Sequence, residues 1–414
     1  MKTETKRRIE QIRRAEVSER YVKTALGLAP ANWKRYTFGD IYTERKEPGD
    51  ENLPLLMVSI HSGVSDGEVD AAELPKQVKR IEDKSQYKKA VSGDLVFNMM
   101  RAWQGAIGTV RTTGMVSPAY IVAEPNDKVN PLFMDYYSRT PQMINQIDRQ
   151  SYGVTDFRKR LYWDSFAPIG CILPPIEEQQ KIAAILTTQD RVIELKEKRL
   201  AEKRRQKKYL MQQLLTGKKR LPGFSGAWSF PKAKELFQSV SDKDHNGDLA
   251  VLSSTQDRGI VPRVEVDIDI KYDACSLVNY KKVSKGNFVI SLRSFQGGIE
   301  YSAYTGLVSP AYTVLSSRKE MSDGYYKQFF KSTDYINRLN VAVYGIRDGK
   351  QISYEDFGRL QIPYPPIKEQ DAIAEVLSTA DREIDLLRQD IEQEKQKKKA
   401  LMQLLLTGIV RVKT

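Results

Sequence analysis

Two short runs carry the residues best suited to gripping a nucleic acid. Arg101–Gly105 reads RAWQG and Arg293–Gly297 reads RSFQG. Each supplies a guanidinium, an aromatic ring, a carboxamide and a turn glycine. A guanidinium can hold guanine with two hydrogen bonds, and a carboxamide can do the same to adenine. Arg101, Gln104, Arg293 and Gln296 can equally bind phosphates and set register without reading sequence. Trp103 and Phe295 can wedge against a base or fill a core. A second pair of basic runs follows: Tyr152 opens YGVTDFRKRL, with Arg158, Lys159 and Arg160, and Tyr344 opens YGIRDGKQI, with Arg347, Lys350 and Gln351. Phosphate contact fits these groups, and a solvated loop is the alternative. His61 and Ser62 precede Gly63, while Gln256, Asp257 and Arg258 precede Gly259 in the equivalent place. Polar groups that differ between equivalent turns suit different base readout.

Catalytic constellations are missing. The two histidines, His61 and His245, fall in different halves, so no metal cluster is visible. No G-x-G-x-x-G run follows a strand-like segment, so the chain offers no S-adenosylmethionine or dinucleotide loop, and GIRDGKQ lacks the spacing and final hydroxyl of a phosphate loop. Cys171 and Cys275 sit in or beside apolar runs and read as filler rather than nucleophiles. No cofactor is expected in the chain itself.

The elements that must position these loops occur twice. Pro174 to Gly217 (PPIEEQQKIAAIL…LMQQLLTG) aligns without a gap to Pro365 to Gly408 (PPIKEQDAIAEVL…LMQLLLTG). Prolines at entry, Glu177, Glu178 and Glu369 in the first turn, and Gly217 and Gly408 just past the end are helix punctuation. Ile373, Leu377, Ala380, Ile384, Leu387 and Ile391 step by fours and threes, a heptad seam, which resumes at Leu401 and Leu405 beyond Glu394 and Lys398. Ile182, Leu186, Ile193, Leu200, Leu210 and Leu214 lie on the matching seam, with Gln189, Lys196, Lys203 and Lys207 in its gaps. Two such stripes most simply cover each other, giving a rod about 60 Å long. The run KEKRLAEKRRQKK from Lys196 reads as the solvated face of that pair.

The duplication continues outside the helices. VSPAY recurs at Val116 and Val308, and GDLVFNMMRAWQGAIG echoes GNFVISLRSFQGGIE. The globular halves read as mixed α/β, with strand-like LPLLMVSI, DLVFNMM and AYIVAE in one and DLAVLSS, NFVISL and AYTVLS in the other. Helices are expected around 131–147 and 324–339. The predicted division is a basic helical extension over 1–30 (Ile9, Ile12, Val17, Tyr21), globular domains over 31–173 and 218–364, and long helices in 174–217 and 365–414.

The chain has 414 residues and a formal net charge of +13, which favours a polyanionic partner, although a merely basic surface is compatible with it. The charged N-terminus, two cysteines and lack of a long apolar run point to a cytoplasmic protein.

On the doubled PPIxEQ helix, the LMQxLLTG ending and the paired VSPAY, the sequence resembles the specificity subunit of type I restriction–modification systems. The resemblance runs from about Trp33 onward. It implies an α+β chain in which two target-recognition domains are separated by two long helices, packed as an antiparallel coiled coil with a pseudo-twofold axis. It further implies that each domain reads half of a split double-stranded DNA target and that the helices fix the gap. Two adenine-methyltransferase subunits carrying S-adenosylmethionine would dock on the chain, and a restriction subunit would join for cleavage. The rival readings are a single-chain nuclease or methyltransferase and a coiled-coil scaffold that does not touch DNA.

Overall fold

Apolar residues in unbroken runs build the two sheets, because successive side chains on a strand leave by opposite faces. In Leu95–Asn98, Leu95 and Phe97 enter one core while Val96 enters another. In Phe288–Ile290, Phe288 and Ile290 divide from Val289 in the same way. In the computed structural model the described residues are 21–24, 27–50, 52–65, 86–153, 159–266, 274–292, 294, 298–342 and 352–413. The chain forms two compact units, unit 1 from Met1–Leu195 with Ile391–Thr414, and unit 2 from Lys196–Asp390.

Unit 1 carries an antiparallel sheet in the order Tyr42–Arg45, Tyr120–Pro125, Leu95–Asn98, Ile107–Thr109. Phe38, Phe97, Phe133 and Phe166 fill the larger core on one face. Leu56, Val58, Val64 and Val116 join Val96 and Val122 on the other. Unit 2 repeats the order with Phe237–Val240, Thr313–Ser317, Phe288–Ile290 and Glu300–Tyr301. Its larger core packs Phe237, Phe288, Tyr326, Phe330 and Phe357 edge to face or tilted.

The VSPAY runs are framework. Val116 and Val308 are buried, and Ser117 and Ser309 accept the main-chain N–H of Ala119 and Ala311. Lys88 and Lys281 donate to the carbonyls of Tyr120 and Tyr312 at 2.8 and 2.7 Å. Each single helix expected after the sheet is broken in two, into Pro131–Tyr137 with Pro141–Gln150 and Asp323–Phe329 with Thr333–Ala342. In unit 1 Thr140 caps the second piece by accepting from Met143 N, and Pro141 takes the first helical position, where its missing N–H is harmless.

Of the helix expected over residues 1–30, the part that the structure describes is strand instead. Tyr21–Thr24 and Gly27–Pro30 pair as antiparallel strands, and residues 1–20 lie outside the described part. Burial overrides the helical spacing here: Tyr21 is buried and its hydroxyl donates to Gly408 O at 2.8 Å.

The repeated segments fold as helices Ile176–Leu214 and Ile367–Leu406. Every seam position is buried or half-buried. The polar gaps in the seam are filled by pairs across the two helices. In unit 1, Gln189 donates to Glu394 at 2.7 Å and Lys398 meets Asp190 at 2.6 Å. In unit 2, Lys196, Lys203 and Lys207 meet Asp390, Glu383 and Asp381 at 2.8, 2.6 and 2.5 Å. So the basic run from Lys196 is not wholly a solvated face: three of its lysines lie on the seam, while Lys198, Arg199, Arg204, Arg205 and Lys208 are exposed.

Each helix start is tied to the chain just past the other helix's end. Glu178 is fully buried and takes Arg411 through two bonds of 2.7 and 2.6 Å and the Trp33 indole N–H at 3.3 Å. Glu369, also fully buried, takes Arg220 through two bonds of 2.5 Å and the Trp228 indole at 2.9 Å. The neighbouring Gln179 and Gln370 accept from the main chain at Asn130 and Ser322. Gly217 and Gly408 end the helices at φ +71° and +70°, and a Cβ on either would lie 3.1 Å from the Trp228 or Trp33 ring. Two motifs therefore lock together, PPIxEQ at one helix start and LLTG-x-x-R at the other helix's end.

Candidate nucleic-acid interface

In unit 1 three polar turns, far apart in the sequence, adjoin. The first joins Val58–Ser59 to Gly63–Val64. Ser59 Oγ accepts the His61 N–H at 3.1 Å, which leaves the His61 and Ser62 side chains exposed. Gly63 closes the turn at φ +77°. The second is the short 3-10 turn Ala102–Gln104, ended by Gly105 at φ +105°, and a Cβ on Gly105 would lie 3.4 Å from Ile60 O in the first turn. Arg101 and Gln104 are exposed, and the Arg101 guanidinium has no partner among the described residues.

The third turn flanks the second. Tyr152 and Arg160 bridge through both main-chain bonds, and Leu161 N donates to Met99 O at 2.9 Å. The Lys159 ammonium lies 5.0 Å from the centre of the Trp103 ring and pairs with Asp148 at 2.8 Å. Trp103 donates its indole N–H to Met100 O, so the ring is half in the core and half beneath a cation. Arg158 lies outside the described residues.

Among the described residues of unit 2, the first turn recurs. Between Leu252–Thr255 and Gly259–Pro262, the side chains of Gln256, Asp257 and Arg258 are exposed. Thr255 Oγ1 accepts the Arg258 N–H at 3.2 Å, and the Arg258 guanidinium donates to Glu265 O at 2.9 Å. Arg293, Phe295, Gln296, Tyr344, Arg347, Lys350 and Gln351 all lie outside the described residues.

Other titratable groups serve the fold. Burial pushes the Cys171 thiol up to about 12, which keeps it an unreactive core group. His245 Nδ1 accepts from Gly247 N, which leaves Nε2 to donate to Tyr280 O, so the ring is tied into the loop. Among the described residues no three His, Cys, Asp or Glu side chains gather as metal ligands, and no helix is long and apolar enough to cross a membrane.

Sequence reasoning passed over three contributors. Tyr162 is exposed and packs its ring 5.8 Å from Tyr152, widening the aromatic surface beside the basic loop. Arg139 and Lys331 stand beneath the first turn of units 1 and 2 respectively. They occupy equivalent positions, at the shift of 192 that separates Val116 from Val308, which is the signal that could have found them.

A family model described as the type I restriction modification DNA specificity domain matches residues 65–205 and again 226–396. The chain is 25% identical to a putative type I restriction enzyme MjaX specificity subunit of Methanocaldococcus jannaschii, over 96% of this chain and 98% of that one. Its fold is similar to the crystal structure of a type I restriction–modification S subunit from M. genitalium (12% identity, TM-score 0.54, covering 92% and 97% of the two chains). It is also similar to a chain from a structure addressing complex assembly and conformational transition of the type I R-M system (18% identity, TM-score 0.55, covering 92% and 99%).

Proposed function

Because the chain belongs to the type I restriction modification DNA specificity family, and so acts as a DNA sequence-specificity subunit, we propose that each unit reads one half of a bipartite duplex target. In unit 1 His61, Ser62, Arg101 and Gln104 face the base edges, while Tyr152, Arg158, Lys159 and Arg160 grip the backbone. In unit 2 Gln256 and Arg258 take the place of His61 and Ser62. Arg293, Phe295 and Gln296, then Tyr344, Arg347, Lys350 and Gln351, are assigned by their alignment with the first copy. The observation that carries this reading is the meeting, in unit 1, of the His61 turn with Gly105 and of Lys159 with Trp103, on residues tied to the sheet by main-chain bonds. Rigid placement lets bidentate base contacts discriminate, each by about 1–3 kcal/mol.

The finer architecture belongs to the same proposal. The target-recognition domains span 31–173 and 218–364. The two long helices form an antiparallel coiled coil with a pseudo-twofold relation, and they set the gap between half-sites. The cross-helix pairs in both units support that packing. The chain has no catalytic centre of its own and works in the cytoplasm. Two adenine-methyltransferase subunits dock on it and carry the S-adenosylmethionine, and a restriction subunit completes the cleaving complex.

Methylome sequencing of cells expressing this chain with its methyltransferase tests the reading. The expected result is a split motif with a fixed gap, which shortens when one heptad is deleted from each long helix. Methylation without sequence preference, or turnover of DNA by the purified chain alone, would overturn it.

A further inference from the structure

We propose that Lys331 is a specificity-determining positioning residue in unit 2: gripped by the buried carboxylate of Glu300, it fixes the main chain of the Gln256–Arg258 turn in the shape that meets DNA. The inference rests on the DNA-reading role proposed above. Lys331 stands between the helices Asp323–Phe329 and Thr333–Ala342. Its ammonium donates to Gln256 O at 3.1 Å and to Glu300 Oε1. The turn also rests on the strand that carries Glu300. Gly259, at φ +78°, sits so close that a Cβ there would lie 2.7 Å from Tyr301 O. Held from beneath in this way, the turn leaves Gln256, Asp257 and Arg258 on its outer side.

Glu300 is a costly residue for a fold to keep. It is 2% exposed, and its second oxygen is buried without a hydrogen-bond partner among the described residues. A position that served packing alone would favour an apolar or small side chain. Unit 1 has Gly108 there, and a Cβ on Gly108 would already lie 3.0 Å from Asp135 Oδ1. Asp135 is a buried carboxylate beneath the first turn of unit 1; it pairs with Arg139 at 3.0 Å, and Arg139 Nη1 would lie 3.2 Å from a Cβ on Gly63. Arg139 and Lys331 are equivalent, so both units place a cation beneath the first turn and brace it with a buried acid. The acid has moved from helix to strand, and the side chains on the turn have changed with it. Among the described residues the charged groups facing Glu300 are Lys331 and, on the turn itself, Asp257. Burial pushes the Glu300 carboxyl up to about 7, against the pull of Lys331.

The test uses the full chain assembled with its methyltransferase, and fluorescent duplexes bearing the methylated motif with single changes in one half-site or the other. Gln256→Ala first identifies the half-site read by unit 2. Lys331→Met is expected to lower discrimination at that half-site about tenfold, the scale of one mismatched pair, and to leave the other half-site unchanged. Lys331→Arg should preserve it, since a guanidinium can still reach both oxygens. In the wild type, discrimination at that half-site should rise as pH passes through neutrality and Glu300 ionises, and Glu300→Gln should flatten the rise. Equal losses at both half-sites, or no change in either variant, would overturn the clamp. Should Lys331→Met fail to fold, Glu300→Gln and Lys331→Arg still decide the matter. A wild-type complex that prefers no bipartite duplex would bring down the DNA-reading role and this inference together; a discriminating complex with insensitive variants brings down the clamp alone.

Discussion

The tie between Glu178 and Arg411 should carry much of the stability of unit 1. Replacing Arg411 by Ala leaves the Glu178 side chain, 1% exposed, with the Trp33 indole as its one partner among the described residues. Breaking a buried ion pair from one side costs about 3–5 kcal/mol. The Arg411 side chain is 31% exposed, and water can re-enter where it stood, so the lower end applies, about 3 kcal/mol. Its loss also removes a cation from over the Trp33 ring, 5.9 Å from its centre. Urea unfolding followed by circular dichroism, with Glu178→Gln, Arg411→Ala and the double variant, isolates the pair by a double-mutant cycle. A coupling energy above about 1.5 kcal/mol is expected, because both charge-assisted bonds depend on both residues. Single variants that shift stability by less than about 0.5 kcal/mol, or effects that simply add, would refute the idea that the tie closes the unit.

The seam lysines make a milder prediction. Lys207→Glu faces Asp381 with a like charge and should cost about 0.5–1 kcal/mol at low salt, and Asp381→Lys in the same chain should restore most of it, as read by urea midpoints at two salt concentrations. Glu300 makes unit 2 sensitive to pH. Its folded pKa is raised, so its contribution is present below the ordinary carboxylate range and is lost as pH rises through about 7. The difference is on the order of 3 kcal/mol, and stability curves for wild type and Glu300→Gln should diverge over that window, while coincident curves would contradict the assignment. Arg101→Ala should weaken binding to the assembled complex's own target by about 1–3 kcal/mol if the guanidinium reads a base, with the loss confined to one half-site. A uniform loss across sequences would make it a phosphate contact.

The features most legible in the sequence were those that repeat locally. The fours-and-threes spacing from Ile373 gave the seam, and Gly217 and Gly408 were readable as helix ends because a left-handed residue there favours glycine. Apolar runs such as DLVFNMM marked strands that are covered on both faces. What spacing could not supply was the partner of each polar residue. Lys196, Lys203 and Lys207 look like interruptions until the acids across from them are seen. Arg220 and Arg411 stand three residues past each LLTG, so the repeat extends beyond the glycine, but only the fold shows that they meet the Glu of PPIxEQ. The candidate interface was half readable. Its residue types were, whereas the meeting of the His61 turn with Gly105, and of Lys159 with Trp103, depends on sheet pairing that brings distant loops together. Tyr21 was misplaced on a helix because its burial comes from a contact with Gly408 near the opposite end of the sequence.

Unit 1 is assembled from two stretches of chain separated by the whole of unit 2. Leu405 and Leu406 belong to its larger core, and Arg411 closes its buried carboxylate. During synthesis every residue of unit 2 is therefore made before unit 1 has all its parts. A chain cut just after Asp390 would keep every residue of its second unit, while its first would lack Leu405 and Leu406 over the apolar faces of Ile182 and Leu186. Such a product is expected to yield its first unit to a protease before its second.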